Sequence, residues 1–302
     1  MRITRRQLLG AATAGLAAGA ARAAVAPSAP ANGPGTIASQ LKLSCAAYSF
    51  RQSLPQGDKA GSMTLHDFFE LAAVWRLDAV EPTSYYFSSE DNAYLHSLKA
   101  KAFNLGLDVS GTAIRNNFCL PPGDARDKEM AHVRKWIDHS VEFGAPCIRV
   151  FAGSAFKDAG REQDFAWTCD CLRACCDYAG SRGVFLAIEN HGYLTDTGPD
   201  VLRIVEAVGH EWCGVNLDTG NFREAPYEHI ALVAPKAITV QVKIEVRTAD
   251  GKGREPADFA RIVQILRDVN YRGYVALEYE GKDDPMEAVP RYLEALRKAI
   301  AS

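Results

Sequence analysis

Leu186-Ala187-Ile188-Glu189-Asn190-His191 and, in the next repeat, Val215-Asn216-Leu217-Asp218-Thr219-Gly220-Asn221 are short apolar runs that each finish in a carboxylate and an amide. Side chains alternate across a β-strand, so Glu189 and His191 share one face while Ile188 occupies the other. An apolar face packs against helices. A polar face confined to the end of the strand needs a different reason.

The same pattern recurs on both sides of this pair. Runs rich in β-branched and apolar residues lie at Lys42 to Tyr48, Ala79 to Pro82, Asp108 to Ala113 and Cys147 to Phe151, then at Val184 to Asn190, Cys213 to Asp218, Ile238 to Val246 and Tyr274 to Glu280. Between them lie segments whose apolar residues recur at i, i+3, i+4 and i+7, the period of a helix with one buried face. Phe259, Ile262, Val263, Leu266 and Val269 form one such face; Leu65, Phe68, Phe69 and Ala72 form another. Thr197 followed by Pro199 supplies a cap and a first-turn proline for a helix through Val208. Alternating strand and helix implies parallel strands with helices outside. Eight such units, with no glycine-rich nucleotide loop after the first strand, predict a closed α/β (β/α)8 barrel in a single domain, with its active site at the C-terminal strand ends.

The N-terminus reads as an address. Thr4-Arg5-Arg6-Gln7-Leu8-Leu9 sets a twin arginine before an Ala/Leu/Gly run that closes at Ala21-Arg22-Ala23, a small-residue cleavage site. Residues 1–23 are therefore expected to be a twin-arginine signal peptide, directing the chain to the periplasm or the medium. Its apolar run is shorter than the ~20 residues a permanent span needs, so no stable membrane span is expected. Residues 24–40, rich in Ala, Pro and Gly, read as a linker, and residues 41–302 as the barrel. That leaves about 260 residues, close to the ~250 typical of the fold.

Net charge is −3, with acids and bases interspersed and no basic stripe for a phosphate backbone, so nucleic acid is not an expected partner. The eight cysteines include Cys169, Cys171, Cys175 and Cys176 on one predicted helix, spaced unlike any zinc knuckle. They read as small buried hydrophobes.

Four late strands carry the chemistry. Glu189 ends the fifth and Asp218 the sixth; Gln241, Lys243 and Glu245 alternate along the seventh, and Glu278 and Glu280 along the eighth. Like charges gathered in one mouth resist ionisation, a conflict that a divalent cation removes. Three carboxylates and an amide oxygen form a hard, oxygen-rich donor set that favours Mn²⁺ or Mg²⁺. Glu81, Arg115, Asn117 and Arg149 are further polar candidates on the earlier strands and the loops after them, and Tyr48, Tyr85 and Tyr86 read either as a stacking rim at the mouth or as packing.

Over about Leu41 to Ile300, and most specifically in the two segments quoted first, the chain resembles the xylose isomerase-like barrel superfamily, in its sugar isomerase and epimerase branch. The resemblance implies one divalent metal held by Glu189, Asp218, Gln241 and Glu278, with Gln241 standing where the branch usually has histidine. It also implies that Glu189 and Glu278 serve as paired acid and base on a sugar or keto-sugar, and that Arg247, six residues past Gln241, contacts substrate. Lys243 is a candidate second cation at the reacting centre. His191, Asn221, Glu81 and Arg115 are candidate substrate contacts. The expected activity is isomerisation or epimerisation through an enediolate. A metal-dependent lyase on an oxidised glycoside is the alternative enzyme, and a periplasmic sugar-binding barrel without turnover the non-enzymatic one. The superfamily also holds endonucleases, but seven histidines and a weakly acidic chain suit DNA poorly. A homo-oligomer is left open.

Overall fold

A computed structural model describes residues 38–302 apart from Asp58 and Asp158; the expected signal peptide and residues 24–37 of the expected linker lie outside the described residues. Ser39 Oγ already donates to the Tyr271 carbonyl at 2.6 Å, and the first strand, β1 (Gln40–Ala46), begins just ahead of Leu41.

From there strand and helix alternate: α1 (Leu65–Val74), β2 (Ala79–Glu81), α2 (Asn92–Asn104), β3 (Asp108–Val109), β4 (Thr112–Ala113), α3 (Asp124–Phe143), β5 (Cys147–Val150) and α4 (Arg161–Ser181). The second half adds β6 (Phe185–Glu189), α5 (Gly198–Val208), β7 (Cys213–Asp218), α6 (Pro226–Val233), β8 (Ala237–Val242), β9 (Glu245–Arg247), β10 (Arg254–Pro256), α7 (Phe259–Asp268), β11 (Arg272–Leu277) and α8 (Pro285–Ala301). The main sheet runs β3-β2-β1-β11-β8-β7-β6-β5-β4, every neighbouring pair parallel. Its two end strands are the halves of one predicted strand, Asp108 to Ala113. The first half pairs with β2 and the second with β5, and a parallel bridge from Thr83 to Ala113 spans the gap. The ring thus closes through a broken third strand, as an (α/β) barrel of eight. Gly111 sits at the break, where a Cβ would come within 2.8 Å of Cys147 Sγ, so a side chain there would press on the neighbouring strand.

Two layers of packing follow from alternation. Leu43, Cys45, Val80, Ile148, Val150, Leu186, Ile188, Val215, Leu217, Val240, Val242, Val275 and Leu277 face outward into the shell between sheet and helices, where Leu65, Phe68, Phe69 and Ala72 of α1 and Ile262, Val263 and Leu266 of α7 meet them. The opposite parity, facing the axis, is small or polar: Ser44, Ala79, Ala187, Gly214, Asn216, Thr239 and Ala276, then Glu81, Arg149, Glu189, Asp218 and Gln241 towards the mouth. Helix starts are locally encoded. Thr64 and Asp67 form a reciprocal capping box on α1, and Thr197 caps α5 ahead of its first-turn proline. The four cysteines of α4 are buried in the outer shell, and no cysteine among the described residues is disulfide-bonded. No helix among the described residues is long and apolar enough to cross a membrane.

The seventh barrel strand ends earlier than its apolar alternation suggests. β8 stops at Val242, and Glu245 opens β9, which pairs antiparallel with β10 in a separate two-stranded sheet. The shared face of Gln241, Lys243 and Glu245 does not survive this break: Glu245 is exposed, while Gln241 and Lys243 are buried.

Candidate active site

The carboxylate-amide endings are a bracing device as well as a source of charge. Asn190 lies on the face opposite Glu189 and binds the next strand twice: its Nδ2 donates to the Asp218 carbonyl at 2.8 Å, and its Oδ1 accepts from the Asp218 backbone N–H at 2.8 Å. This side chain extends the β6–β7 ladder past its last backbone pair and holds Glu189 and Asp218 on the inner face. Asp218 Oδ1 accepts from Gly220 N–H at 2.8 Å, and Thr219 Oγ1 accepts from Lys243 N–H at 3.1 Å. Gly220 is required by closeness: a Cβ there would lie 2.5 Å from Lys243 Cγ, so its absence gives the lysine its path into the mouth.

The charged groups fall into two linked clusters. In the first, Arg149 Nε lies 2.8 Å from Glu189 Oε2, an ion pair buried on both sides. The guanidinium also donates to the Ile114 carbonyl at 2.8 Å and covers the Phe151 ring at 4.0 Å. Glu189 Oε1 accepts from Asn221 Nδ2 at 2.9 Å. In the second, the ammonium of Lys243 stands 3.0 Å from Glu278 Oε1, 3.3 Å from Asp218 Oδ2 and 3.3 Å from Glu280 Oε2. Asp218 Oδ2 has no hydrogen-bond partner and faces that ammonium. Gln241 belongs to neither cluster. Its Oε1 accepts from Asn216 Nδ2 at 2.7 Å and its Nε2 donates to Glu81 Oε1 at 2.5 Å, which uses both ends of the amide.

Burial sets the protonation landscape. Desolvation, with the Glu278 charge adding to it, pushes the Glu81 carboxyl up to about 7. Desolvation also raises Asp218 to about 7, against the opposing pull of Lys243. Glu189 is raised by desolvation, with Arg149 acting the other way. Burial disfavours the Lys243 ammonium, but Asp218, Glu278 and Glu280 outweigh it and raise its pKa above the ordinary lysine value.

Glu81 gives a test of this landscape. Its folded pKa lies above its ordinary value of 4.5, so between about 4.5 and 7 the folded chain holds a proton that the unfolded chain releases. The stability contribution is complete below that window and lost as pH rises through 7. Melting followed by circular dichroism is expected to show a lower Tm at pH 8 than at pH 5, and Glu81→Gln, which keeps the bond from Gln241, should remove part of that fall. An unchanged pH dependence in Glu81→Gln would show that the carboxyl is not the strained group.

The residues expected to bind substrate separate. Glu189, His191, Asn221, Lys243, Glu278 and Arg115 line one pocket of 380 Å³ together with Tyr48, Tyr85, Arg149, Phe151 and Glu280. His191 is exposed, its ring 4.8 Å from that of Phe151, and Arg115 lies over the Tyr85 ring at 5.4 Å. Glu81 is buried beneath, against Gln241. Arg247 sits in the β9–β10 hairpin opposite Arg254, and it is Arg254 that lines a 200 Å³ recess with Asn221, Lys243 and Glu280. A larger cavity of 680 Å³ adjoins the pocket, sharing Tyr85, Arg115, Phe151 and His191 and reaching Trp136, Glu129 and His132. Arg149 takes a role that its place in the sequence does not disclose. Its signal was an arginine inside an otherwise apolar strand, Cys147-Ile148-Arg149-Val150.

Whether the four expected ligands suit a divalent ion is decided by their partners. Gln241 Oε1 already accepts from Asn216, and the bond from its Nε2 to Glu81 holds the amide in that direction, so an ion would have only the remaining lone pair in a fixed orientation. Both oxygens of Glu189 are engaged by Arg149 and Asn221. Asp218 and Glu278 converge on an ammonium that would repel a cation on the same oxygens, by several kcal/mol even at an effective dielectric of about 20. Among the described residues no three His, Cys, Asp or Glu side chains gather in a metal-holding group. The residues as arranged do not fit the ion.

A parallel barrel of eight strands whose mouth gathers buried carboxylates and fixed cations defines a barrel with an enzyme-like polar centre. The xylose isomerase-like TIM barrel family model matches residues 69–299, and the chain belongs to that family. A comparison with curated proteins gives no match. Among solved structures, the chain is similar to D-psicose 3-epimerase with D-tagatose from Clostridium cellulolyticum H10, at 18% identity and a TM-score of 0.70 over 86% of this chain and 99% of that one. It is similar to 3-keto-D-glucoside 4-epimerase from E. coli in its apo form, at 18% identity and a TM-score of 0.65 over 86% of this chain and 100% of the other. A xylose isomerase-like TIM barrel protein from Mycobacterium smegmatis in complex with magnesium matches at 17% identity and a TM-score of 0.66 over 86% and 96%. At these identities the likeness is one of fold.

Proposed function

We propose that this chain is a sugar isomerase or epimerase that moves a proton on the carbon beside a carbonyl. The observation that carries the reading is the placement of Glu189 and Glu278. Their strands, β6 and β11, are separated by β7 and β8 round an eight-membered ring, yet both carboxylates line the same 380 Å³ pocket. A flat substrate carbon between them presents one face to each. Glu278, paired with Lys243, takes the proton, and Glu189, ion-paired with Arg149 at rest, must enter the reacting complex protonated to deliver one to the other face. The likeness to two sugar epimerases supports the choice of reaction class.

The substrate is a small sugar or keto-sugar. Tyr48 and Tyr85 offer stacking faces, Asn221 and His191 offer hydrogen bonds, and the adjoining 680 Å³ cavity leaves room for a substituent on the ring. The resemblance brings one divalent ion, Mn or Mg, and the likeness to a magnesium-bound neighbour supports such use in this fold. Because the ligand set here is otherwise engaged, no step is routed through an ion. The twin arginine at Arg5-Arg6 further supports a site of action in the periplasm or the medium.

The test is solvent-proton exchange. The full chain is incubated in heavy water with a panel of ketoses, aldoses and 3-keto-glycosides, and products are read by NMR. Deuterium at a carbon beside the carbonyl, with an epimer or isomer appearing and any aglycone retained, is the expected result. Release of the aglycone would place the reaction among the eliminations instead. No uptake from any member of the panel would remove the isomerase reading.

A further inference from the structure

We infer that Lys243, seated among Asp218, Glu278 and Glu280, together with Arg149 on Glu189, supplies the positive pole that the family resemblance assigns to a divalent ion. The seat is fully furnished. One ammonium has three N–H donors, and three carboxylate oxygens stand within 3.0 to 3.3 Å of it. Gly220 gives the side chain its entry, and the Thr219 hydroxyl fixes its backbone. Alternation along β8 carries Lys243 inward after Gln241, and its backbone N–H is taken by the Thr219 hydroxyl just past the end of the strand at Val242. Gln241 is the complementary half of the device. A neutral amide bonded at both ends to Asn216 and Glu81 closes the floor of the site where another ligand would have to project.

The inference rests on the isomerase reading for what the pole does, and there the electrons balance without any further reagent. The C–H pair becomes the C=C of the enediolate as its proton passes to Glu278, and the carbonyl pair moves onto oxygen, beside the positive charges of Lys243 and Arg149. Reprotonation from Glu189 on the other face gives the epimer. Fixed cations aimed at that oxygen act as an oxyanion-type stabiliser. Lys243 and Arg149 form no covalent bond to substrate.

The experiment measures metal directly, so it does not depend on turnover. Full-length protein purified without chelator is assayed for bound metals by mass spectrometry, then melted with EDTA and with millimolar Mn²⁺ or Mg²⁺. Substoichiometric metal and a Tm that moves by less than about 1 °C in either direction are expected, since a ligand shifts melting only by binding the folded state. Stoichiometric Mn or Mg, or a clear fall in Tm on chelation, would overturn the inference. The second arm is Lys243→Gln, which leaves Asp218 and Glu278 uncompensated. It is expected to bind Mn²⁺, seen as a quenched free-ion EPR signal and a Tm raised by several degrees. A folded Lys243→Gln protein indifferent to Mn²⁺ would also overturn it. If that variant does not fold, the wild-type metal content still decides. A failure of deuterium uptake across the sugar panel strikes the isomerase reading alone.

Discussion

Glu278→Gln is expected to abolish epimer formation while leaving melting and circular dichroism close to those of the wild type. The substitution keeps the volume and hydrogen-bonding shape of the side chain but removes the carboxylate that takes the proton, and a positioned base contributes about 10²- to 10⁴-fold. Lys243 keeps Asp218 and Glu280 as partners, so the fold retains its local charge pairing. The two-sided arrangement makes a sharper claim than loss of activity. With only one carboxylate left, the enzyme can still exchange the hydrogen that faces it, but cannot deliver a proton to the opposite side. Glu278→Gln should therefore lose deuterium uptake from one epimer and Glu189→Gln from the other, and neither should interconvert them. The readout is NMR of each pure epimer in heavy water with each variant. Identical exchange patterns in the two variants would mean that one face of the carbon is served by a group other than this pair.

Arg149→Met is expected to destabilise the protein by about 3 kcal/mol at pH 8, because it leaves Glu189 buried without its cation. The arginine and the glutamate are respectively 8% and 4% exposed, so solvent screens the pair little. Glu189 escapes part of the cost by taking up a proton, which fixes the sign of the pH dependence. Its folded pKa is already raised by burial, and loss of Arg149 raises it further above the unfolded value. The stability deficit is therefore small at low pH and grows as pH rises towards and through the new folded pKa. Urea unfolding at pH 5 and pH 8 checks this, and Arg149→Met combined with Glu189→Gln should recover most of the loss at pH 8. Additive losses in the double variant would show that the two side chains are not coupled. Catalysis should fall in Arg149→Met at every pH, since the guanidinium faces the same pocket as the reacting carbon.

These effects also show where reading the chain alone ran out. The carboxylates at 189, 218 and 278 were legible because each closes an apolar alternating run, and closing such a run places a charge at the mouth of a barrel. Arg149 was visible as a charge within an apolar strand, but its partner was not. That partner is set by β5 lying beside β6 with Val150 opposite Ile188, a register that alternation within either strand does not reveal. Lys243 was legible as inward-facing and as a candidate cation. That it joins three carboxylates follows from β8 lying between β7 and β11, a neighbourhood that no single strand's pattern reveals. Gln241 is grouped with the ligands by the resemblance and by its amide oxygen. Its bonds to Asn216 and to Glu81, 160 residues away in sequence, give it another task. Arg247 kept its spacing from Gln241 but left the barrel strand for the hairpin, since a count of residues does not survive a change of strand.

The order of strands and helices, the caps at Thr64 and Thr197, and the inward parity of Glu189, Asp218, Gln241 and Glu278 were determined by the sequence itself. Each depends on backbone periodicity and on groups three or four residues apart, which neighbouring residues dictate. Which cation meets which carboxylate, and whether an amide oxygen is free or engaged, was decided only by the tertiary structure. Closing the ring sets the offset between strands that are distant in the chain. A shift of a few ångströms in that offset exchanges one ion-pair partner for another without altering any local preference.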